Sequence, residues 1–191
     1  TEHSRRLTVA HGLDEDELLR HGDAIDALNE KLRDITLLKG IEVDILASGE
    51  LDLPDRVLAQ LDLVVGAVHS NFDLPRKKQT QRLLRAIEHR YFTILAHPSC
   101  RLINRREAID VDMGAVIRAA AQRGCYLELN ADPERLDLTD VHCREAQEEG
   151  VLISINSDAH SVQGFANLRF GIGQARRGWL TTSENVEPAR V

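Results

Sequence analysis

Residues 152–161, LISINSDAHS, place two metal-binding residue types directly after an apolar run. Asp158 and His160 stand two positions apart, and Ile153 and Ile155 precede them. A carboxylate together with an imidazole suits zinc, manganese or iron, and either group can also move protons. The pair is a weak signal by itself, since an isolated histidine at a strand end is more often a hydrogen-bonded core residue.

The same kind of residue follows the other apolar runs. His3 lies in EHS, Glu42 in GIEVD, His69 in GAVHS and His97 in LAHP. Because the carboxyl ends of parallel strands converge on one face of an α/β barrel, these side chains would share a pocket with the Asp-x-His pair. Four imidazoles and two carboxylates are costly to bury without cations. The joint pattern therefore predicts a centre of divalent metal ions, manganese, zinc or iron.

Such a centre would suit phosphoester hydrolysis. Bound divalent ions lower the pKa of water and neutralise charge on a phosphate group. Glu42 has two oxygens and can bridge two ions, and Asp158 and His160 can assist proton transfer, so we predict these three as catalytic residues. Arg6 and Arg101 each follow a candidate ligand closely, and guanidinium forks match phosphate oxygens, so we predict both as phosphate-binding residues.

Alternating short apolar runs and helical patterns must position these residues. The strand-like runs are 35–45, 61–70, 92–99, 125–131 and 151–160, and the helical patterns are 14–34, 76–90, 112–124 and 139–150. Thr139 is a candidate N-cap, and Gly124 and Gly150 are candidate helix ends. Repeated strand–helix alternation without a long polar linker predicts one α/β domain over residues 1–191, with a parallel sheet.

Composition sets the remaining bounds. The 191 residues are 42% hydrophobic and 29% charged, which is typical of a globular chain. The net charge of −7 argues against a surface that holds nucleic acid by charge alone, although it allows a local basic groove. No apolar run reaches the roughly 18 residues of a membrane span. The three cysteines are odd in number and widely spaced, which favours a reducing, cytoplasmic location.

The motifs TEHS, GIEVDIL, GAVHS, LAHP and SDAH, in this order, resemble the metal-site motifs of the PHP (polymerase and histidinol phosphatase) family. Longer phrases such as LAHPSCRLINRREAIDVDM resemble the C-terminal PHP domain of bacterial and archaeal family X DNA polymerases, from His3 to about Val186. The resemblance implies a distorted TIM-like barrel of seven βα units. It also implies metal-dependent phosphoester hydrolysis at DNA 3′ ends, as 3′–5′ exonuclease or 3′-phosphatase activity.

The resemblance implies up to three metal ions in the complete domain. Carried over to this sequence, it makes six residues metal ligands: His3, Glu42, His69, His97, Asp158 and His160. One ion would lie among Glu42, His69 and His97, with Glu42 bridging to a second ion that Asp158 also binds. The third ion would lie between His3 and His160.

This sequence also departs from the family pattern. The chain starts with Thr1, and the family's first strand, with its His-x-His motif, has no counterpart in it. We therefore expect a piece of a longer chain that lacks the first barrel strand and has little or no activity alone. Glu2 stands where the family has Asp, and Asp132 where it has Asn.

Three functions from different classes fit these observations. The first is a phosphoesterase acting on DNA 3′ ends, with upstream polymerase domains in the same chain. The second is a phosphatase of a phosphorylated small molecule, of the histidinol phosphatase type. The third is a non-catalytic module that supports a polymerase. The six ligand-type residues argue against the third, and the long family X-like phrases favour the first.

Overall fold

Six parallel strands form one sheet whose order follows the chain, in a computed structural model that describes residues 1–7 and 11–181. The strands are β1 (Glu2–His3), β2 (Gly40–Asp44), β3 (Leu63–Ala67), β4 (Ile94–Leu95), β5 (Tyr126–Asn130) and β6 (Ile153–Asn156). The helices are α1 (Glu15–Asn29), α2 (Asp55–Leu58), α3 (Arg76–Ile87), α4 (Met113–Arg123), α5 (Asp140–Glu148) and α6 (Leu168–Arg177), with a 3₁₀-helix at Val162–Asn167. Strand–helix alternation in a parallel sheet confirms the predicted α/β class.

Local capping explains where several helices begin and end. The Asp14 side chain accepts a hydrogen bond from the Glu17 backbone N–H, and the Glu17 side chain accepts one from the Asp14 N–H, both at 2.9 Å. Thr139 caps α5 by accepting from the His142 N–H at 3.2 Å. Gly124 follows α4 with φ of 73°, a left-handed conformation that glycine adopts at little cost. The predictions for Thr139 and Gly124 are confirmed.

The segment before β2 was predicted wrongly. The strand begins at Gly40 rather than at residue 35, and Ile35 and Leu38 are 61% and 51% exposed. The preceding helix ends at Asn29, short of residue 34. The Asn29 side chain then bonds both the N–H and the C=O of Leu37, at 2.8 Å each, and so holds the chain in an irregular connection. An apolar run is therefore not always a strand.

Two helices escaped prediction, α2 and α6. The α6 sequence LRFGIGQARR contains two glycines, which lower helix propensity and obscure the apolar periodicity. Packing requires one of them: a Cβ at Gly171 would lie 2.7 Å from side-chain atoms of Ala131 and Ile155. The helix therefore lies against the β5–β6 end of the sheet because a glycine lets it approach closely.

The two faces of the sheet differ in character. The helix-covered face carries the main apolar clusters, built around residues such as Val116, Ile117 and Leu127. The opposite face has only a small apolar cluster of Val65, Ala67 and Ala96. Side chains alternate across a strand, so Glu42, which pairs with Val65 across β2 and β3, points to this second face. The candidate site lies on this second face of the sheet.

The sheet curves enough to bring its first and last strands together at their carboxyl ends. His3 on β1 and His160 just after β6 lie with their Nε2 atoms 3.4 Å apart, although no strand pairing joins β1 to β6 in the described ranges. This is the geometry of a barrel with one open seam, as the predicted distorted barrel requires. The longest described helix is α1, and none of the helices between residues 1 and 181 has the length and apolarity to cross a membrane.

Candidate metal centre

Glu42 lies at the middle of the candidate centre. Its Oε1 atom lies 3.1 Å from His69 Nε2 and 3.3 Å from His97 Nε2. Its Oε2 atom faces the other way, 3.8 Å from His3 Nδ1. One carboxylate therefore contacts three imidazoles that come from three other strands. Two oxygens directed to different partners are what a bridging ligand needs.

Neighbouring strands deliver these side chains to one point. Glu42 lies in the middle of β2, whereas His69 and His97 follow the last residues of β3 and β4 by two positions. His97 has a φ of 28°, a conformation that non-glycine residues rarely adopt. Such backbone strain persists where the surroundings fix it, and it is concentrated at functional sites. We call Glu42, His69 and His97 the inner set.

The remaining candidate ligands form an outer set of His3, Asp158 and His160. The rings of His3 and His160 stack with centroids 5.6 Å apart. His160 Nδ1 lies 2.9 Å from the backbone oxygen of Asp158, so His160 Nε2 remains directed at His3. Asp158 has a φ of 50°. The structure thus brings all six predicted ligand residues to the same face of the sheet.

The pattern of short distances differs in detail from the expected ion positions. Ligand atoms of His3, Glu42 and His69 all lie within 4.8 Å of one another, which makes them a candidate site for one ion. The expected grouping was Glu42 with His69 and His97, and Glu42 contacts both of these histidines as well. The assignment of each residue to a particular ion stays a prediction. Glu42 is a member of both groupings.

Charge distribution in the inner set follows from burial and contact. Burial opposes ionisation of Glu42, but hydrogen bonds from His69 and His97 outweigh it and hold its pKa well below the usual range. Burial likewise opposes the charged form of His97, and contacts with Cys100 and Glu42 outweigh it and raise its pKa. A carboxylate that stays ionised between imidazoles is the charge pattern that a cation site requires.

The surroundings shift the pKa values of His69 and His3 in opposite directions. Burial opposes the charged form of His69, but hydrogen bonds with Asp44 and Glu42 outweigh it and raise its pKa. Burial lowers the pKa of His3 more than the Glu42 charge raises it. His69 Nδ1 lies 3.4 Å from Asp44 Oδ1, so a carboxylate stands behind this ring. A carboxylate in that position commonly orients a metal-bound histidine.

An unpartnered nitrogen tests whether a metal ion fits. Nδ1 of His3 is buried, lacks a hydrogen-bond partner among residues 1–7 and 11–181, and lies 3.8 Å from Glu42 Oε2. Buried polar atoms are rarely left without a partner. This nitrogen and the Nε2 atoms of His69 and His97 face the ionised Glu42 carboxylate, and together they form a donor set that suits a borderline divalent cation. The residues present therefore fit the metal ions that the motifs predicted.

A second carboxylate, Glu128, supports the inner set from behind. It is buried on β5, and its Oε2 accepts a hydrogen bond from the His97 backbone N–H at 2.7 Å. Its Oε1 accepts from Asn156 Nδ2 at 2.8 Å. Asn130 Nδ2 lies 3.3 Å from Glu128 and 3.0 Å from Asp158. Burial raises the pKa of Glu128 to about 7. This network connects the inner set to the outer set.

Sequence reasoning missed Glu128 and its amide partners, although a signal was present. Polar residues alternate along two runs that were interpreted as uniformly buried strands. They are Glu128 and Asn130 in β5, and Ser154, Asn156, Asp158 and His160 in and after β6. Strand pairing aligns Glu128 with Ser154 and Asn130 with Asn156. A period of two places all of these side chains on one face, so the alternation predicts a polar interior.

The two predicted phosphate-binding arginines have different surroundings. The Arg6 side chain is 64% exposed, with its Nε atom 3.9 Å from Asp44 Oδ2. Arg101 is partly buried, and its guanidinium donates to the backbone oxygens of Arg135, at 2.8 Å from Nε, and of Leu136. Phosphate binding by Arg6 stays a prediction. Phosphate binding by Arg101 also stays a prediction, and its contacts tie the guanidinium to the loop before α5.

Comparisons with known proteins agree with this fold and these motifs. No family model matches the chain. A DNA polymerase/3′-5′ exonuclease PolX of Bacillus subtilis is 42% identical over 190 residues, which cover all of this chain and 33% of that protein. A probable phosphatase of Edwardsiella ictaluri is 33% identical over 167 residues, 82% of this chain and 63% of that protein. One from a Thermoanaerobacter species is 30% identical over 146 residues, 71% and 57% respectively.

A solved structure has the same fold. Histidinol phosphate phosphatase from Lactococcus lactis, determined with zinc, L-histidinol and phosphate, superposes with a TM-score of 0.53. The match covers 86% of this chain and 75% of that chain at 15% sequence identity. The fold and the motif residues define a PHP-type α/β domain. The predicted resemblance to family X DNA polymerases is confirmed by the Bacillus relative, which is similar to this chain over its whole length. The chain spans a third of that relative's length.

Proposed function

We propose that this domain is a metal-dependent phosphoesterase that acts on DNA 3′ ends, as a 3′–5′ exonuclease or 3′-phosphatase, within a family X DNA polymerase. The observation that carries the proposal is the contact of the Glu42 carboxylate with three imidazoles on one face of the sheet. Identity of 42% over this whole chain to a polymerase with a 3′-5′ exonuclease supports the DNA context.

Up to three manganese, zinc or iron ions, bound by the inner and outer sets, would supply hydroxide near neutral pH and neutralise charge on the phosphate. Glu42 would connect the ligands near His3 with those near His69, because its two oxygens face these different histidines. The His160 side chain is 67% exposed and is oriented by the Asp158 backbone oxygen. His160 is therefore the candidate for exchanging a proton with solvent as the phosphoester is cleaved.

Substrate binding would be local rather than extensive. The chain carries a net charge of −7, and phosphate neutralisation supplies most non-specific affinity for DNA. Polymerase domains upstream in the same cytoplasmic protein would hold most of the DNA, and this domain would receive only a terminal phosphate. The Arg6 side chain, which is 64% exposed, would contact that phosphate. Single-stranded DNA should therefore bind this chain weakly and in a salt-sensitive way.

A phosphatase of small phosphorylated molecules is the second candidate. It is favoured by the relatives described as probable phosphatases, and by a shared fold with an enzyme solved with L-histidinol and phosphate. A purely structural module is a weaker alternative, since it gives no reason for six ligand-type residues to converge. The DNA-directed activity is preferred because the polymerase relative matches the whole chain.

Substrate preference tests the proposal. The manganese- or zinc-loaded chain is offered a 3′-phosphorylated oligonucleotide, an unmodified oligonucleotide and L-histidinol phosphate, and kcat/KM is measured for each. We expect the highest value on an oligonucleotide, even if every rate is low. A higher value on L-histidinol phosphate would establish the second candidate instead. Turnover that survives Glu42→Gln unchanged would come from a contaminant or another site, and would contradict the proposal.

A further inference from the structure

Arg82 is a cation of helix α3 that is almost completely buried, with 1% of the residue exposed. Its guanidinium joins two loops. Nε donates to the backbone oxygen of Leu46 at 2.9 Å and Nη2 to that of Ile45, while Nη1 donates to that of Ser70 at 2.8 Å. Nη1 also lies 3.4 Å from the Gln79 amide oxygen. A buried charge is costly unless it is well bonded, so a cation at this position calls for a physical reason.

The loops that Arg82 joins lie directly behind the candidate centre. The guanidinium bonds the residues that follow Asp44, the last residue of β2, and the residue that follows the candidate ligand His69. Asp44 Oδ1 accepts a hydrogen bond from the His69 N–H at 3.3 Å and lies 3.4 Å from His69 Nδ1. Arg82 therefore holds both sides of the contact that orients the His69 ring.

The arrangement of acceptors explains why this residue is an arginine. Loops that follow strand ends leave carbonyl groups without sheet partners, and buried carbonyls need donors. A planar guanidinium presents its donors in a fixed fork, so it holds carbonyls of two loops at a set spacing, which a lysine ammonium does not. Burial lowers the pKa of Arg82, and the Asp44 charge opposes this effect. Charge as well as geometry thus links Arg82 to Asp44.

We propose that Arg82 is a positioning residue of the candidate centre, which fixes Asp44 and His69 relative to each other by holding the loops behind them. This inference rests on the metal dependence in the proposed function. A bound ion requires His69 Nε2 and Glu42 Oε1, which lie 3.1 Å apart, in one defined geometry. Arg82 is buried behind these ligands, so it acts through them rather than on the ion or the substrate.

Zinc affinity and the spectrum of bound cobalt test the inference without turnover. A competition titration against a chromophoric chelator gives the zinc Kd, and the visible absorption bands of cobalt(II) report the ligand geometry. The matched control is Arg85→Ala, at an exposed arginine of the same helix that pairs with Glu50. We expect Arg82→Ala to raise the zinc Kd about 10- to 100-fold and to change the cobalt bands. Arg82→Lys should change both less, and Arg85→Ala neither.

A cavity beside Arg82 allows a rescue experiment. Its volume is about 600 Å³, and the exposed side chains of Gln81 and Arg85 line it together with Arg82. Removal of the Arg82 side chain should open a path from this cavity to the loop carbonyls. Guanidinium ion, added well below the concentration that unfolds the chain, should therefore lower the zinc Kd of Arg82→Ala towards the wild-type value. Equal concentrations of sodium ion or urea should not.

A double-mutant comparison tests the route of the effect. In a His69→Ala background, Arg82→Ala should add little to the loss of zinc affinity, because it acts through that histidine. Fully additive losses would overturn the inference. Thermal unfolding of the metal-free chains shows which variants fold. If Arg82→Ala does not fold, Arg82→Lys decides, and cobalt bands identical to those of wild type would then overturn the inference.

Three further results would overturn the assignment of Arg82. A lower unfolding midpoint with unchanged zinc Kd and cobalt bands would make Arg82 a stabiliser of the fold alone. A raised zinc Kd that guanidinium ion leaves unchanged would mean that the fork does not hold the loops. Absence of zinc binding by wild type would overturn the inference together with the metal dependence. Zinc and cobalt responses to Arg82, without hydrolysis of DNA 3′ ends, would instead contradict only the proposed function.

Discussion

The inner and outer sets of the candidate centre are built differently, although both combine imidazole with carboxylate. The inner set comes from β2, β3 and β4, which lie side by side within the sheet, and His97 is 2% exposed. The outer set comes from the two edges of the sheet, and the His160 side chain is 67% exposed. Rigid, dry surroundings hold ligands closer to one geometry than exposed loops do. Metal affinity should therefore be graded, with the inner set binding more tightly.

Supporting contacts differ in the same direction. Behind the inner set, Glu128 accepts from the His97 backbone and Asp44 stands behind His69. In the outer set, the rings of His3 and His160 stack against each other. Two imidazoles facing each other at 3.4 Å need either a shared proton or a shared ion. Carboxylates thus support both histidines of the inner set, whereas the outer His160 is oriented by the backbone oxygen of Asp158.

The largest expected effect comes from the residue that both groupings share. Glu42→Gln keeps the shape of the side chain but removes the negative charge that contacts His3, His69 and His97 together. We expect metal content after dialysis to fall to background and phosphoesterase activity to fall at least about 100-fold, or about 3 kcal/mol. Elemental analysis and turnover measure the two losses.

The matched control is Glu50→Gln, an exposed carboxylate that pairs with Arg85 at 2.7 Å. It should keep wild-type metal content and activity. If Glu42→Gln still retained one equivalent of metal, the histidines alone would hold an ion, and Glu42 would not be the central ligand.

A direct contrast between the sets gives the next effect. His97→Ala should lose more bound metal than His160→Ala, because a buried ligand is harder to replace by water than an exposed one. Titration of each metal-free variant with zinc, followed by elemental analysis, measures the difference. His89→Ala, at a histidine that pairs with Asp55 away from the centre, serves as the control.

Equal metal content in His97→Ala and wild type would remove His97 from the centre. Greater loss in His160→Ala than in His97→Ala would reverse the proposed grading. Because His97 is buried, its removal can also destabilise the fold, so thermal unfolding of the metal-free variants must accompany the titration.

The sequence allowed the fold class and the candidate ligands to be predicted, because both depend on local pattern. Apolar runs followed by His69, His97 and Asp158 mark the carboxyl ends of β3, β4 and β6, whereas Glu42, expected at the end of its run, lies in the middle of β2. Helix caps such as Thr139 mark where the intervening helices start. The run at residues 35–39 failed as a strand because no neighbouring strand pairs with it. Pairing is a tertiary property that a single apolar run does not contain.

The support of the centre was harder to predict, for a physical reason. Arg101 and Arg135 look alike in sequence, each in a loop after a strand. The Arg101 guanidinium contacts backbone oxygens 34 and 35 positions away, whereas that of Arg135 faces Asp158. Such long-range contacts leave no periodic signal. Glu128 is the intermediate case, because its alternation with Asn130 was visible.

The smallest effect concerns the pH dependence of stability at Glu128, which supports the inner set. Burial raises the pKa of this carboxyl from an ordinary 4.5 to about 7 in the folded state. A raised folded-state pKa favours folding below pH 4.5, and this contribution is lost as the pH rises to about 7. A difference of this size corresponds to about 3 kcal/mol at most. Glu128→Gln cannot ionise, so its stability deficit relative to wild type should shrink over that interval.

Denaturant unfolding of the metal-free proteins, in the presence of a chelator, measures this deficit at several pH values. Glu134→Gln is the control, because Glu134 is half exposed and pairs with Arg105. Its difference from wild type should not vary with pH. A constant deficit in Glu128→Gln would mean something different: the N–H groups of His97, Asn130 and Asn156 would then keep Glu128 ionised throughout. In that case Glu128 would carry a negative charge behind His97 at every pH tested. The metal affinity of the inner set would then vary with pH only through protonation of its own histidines.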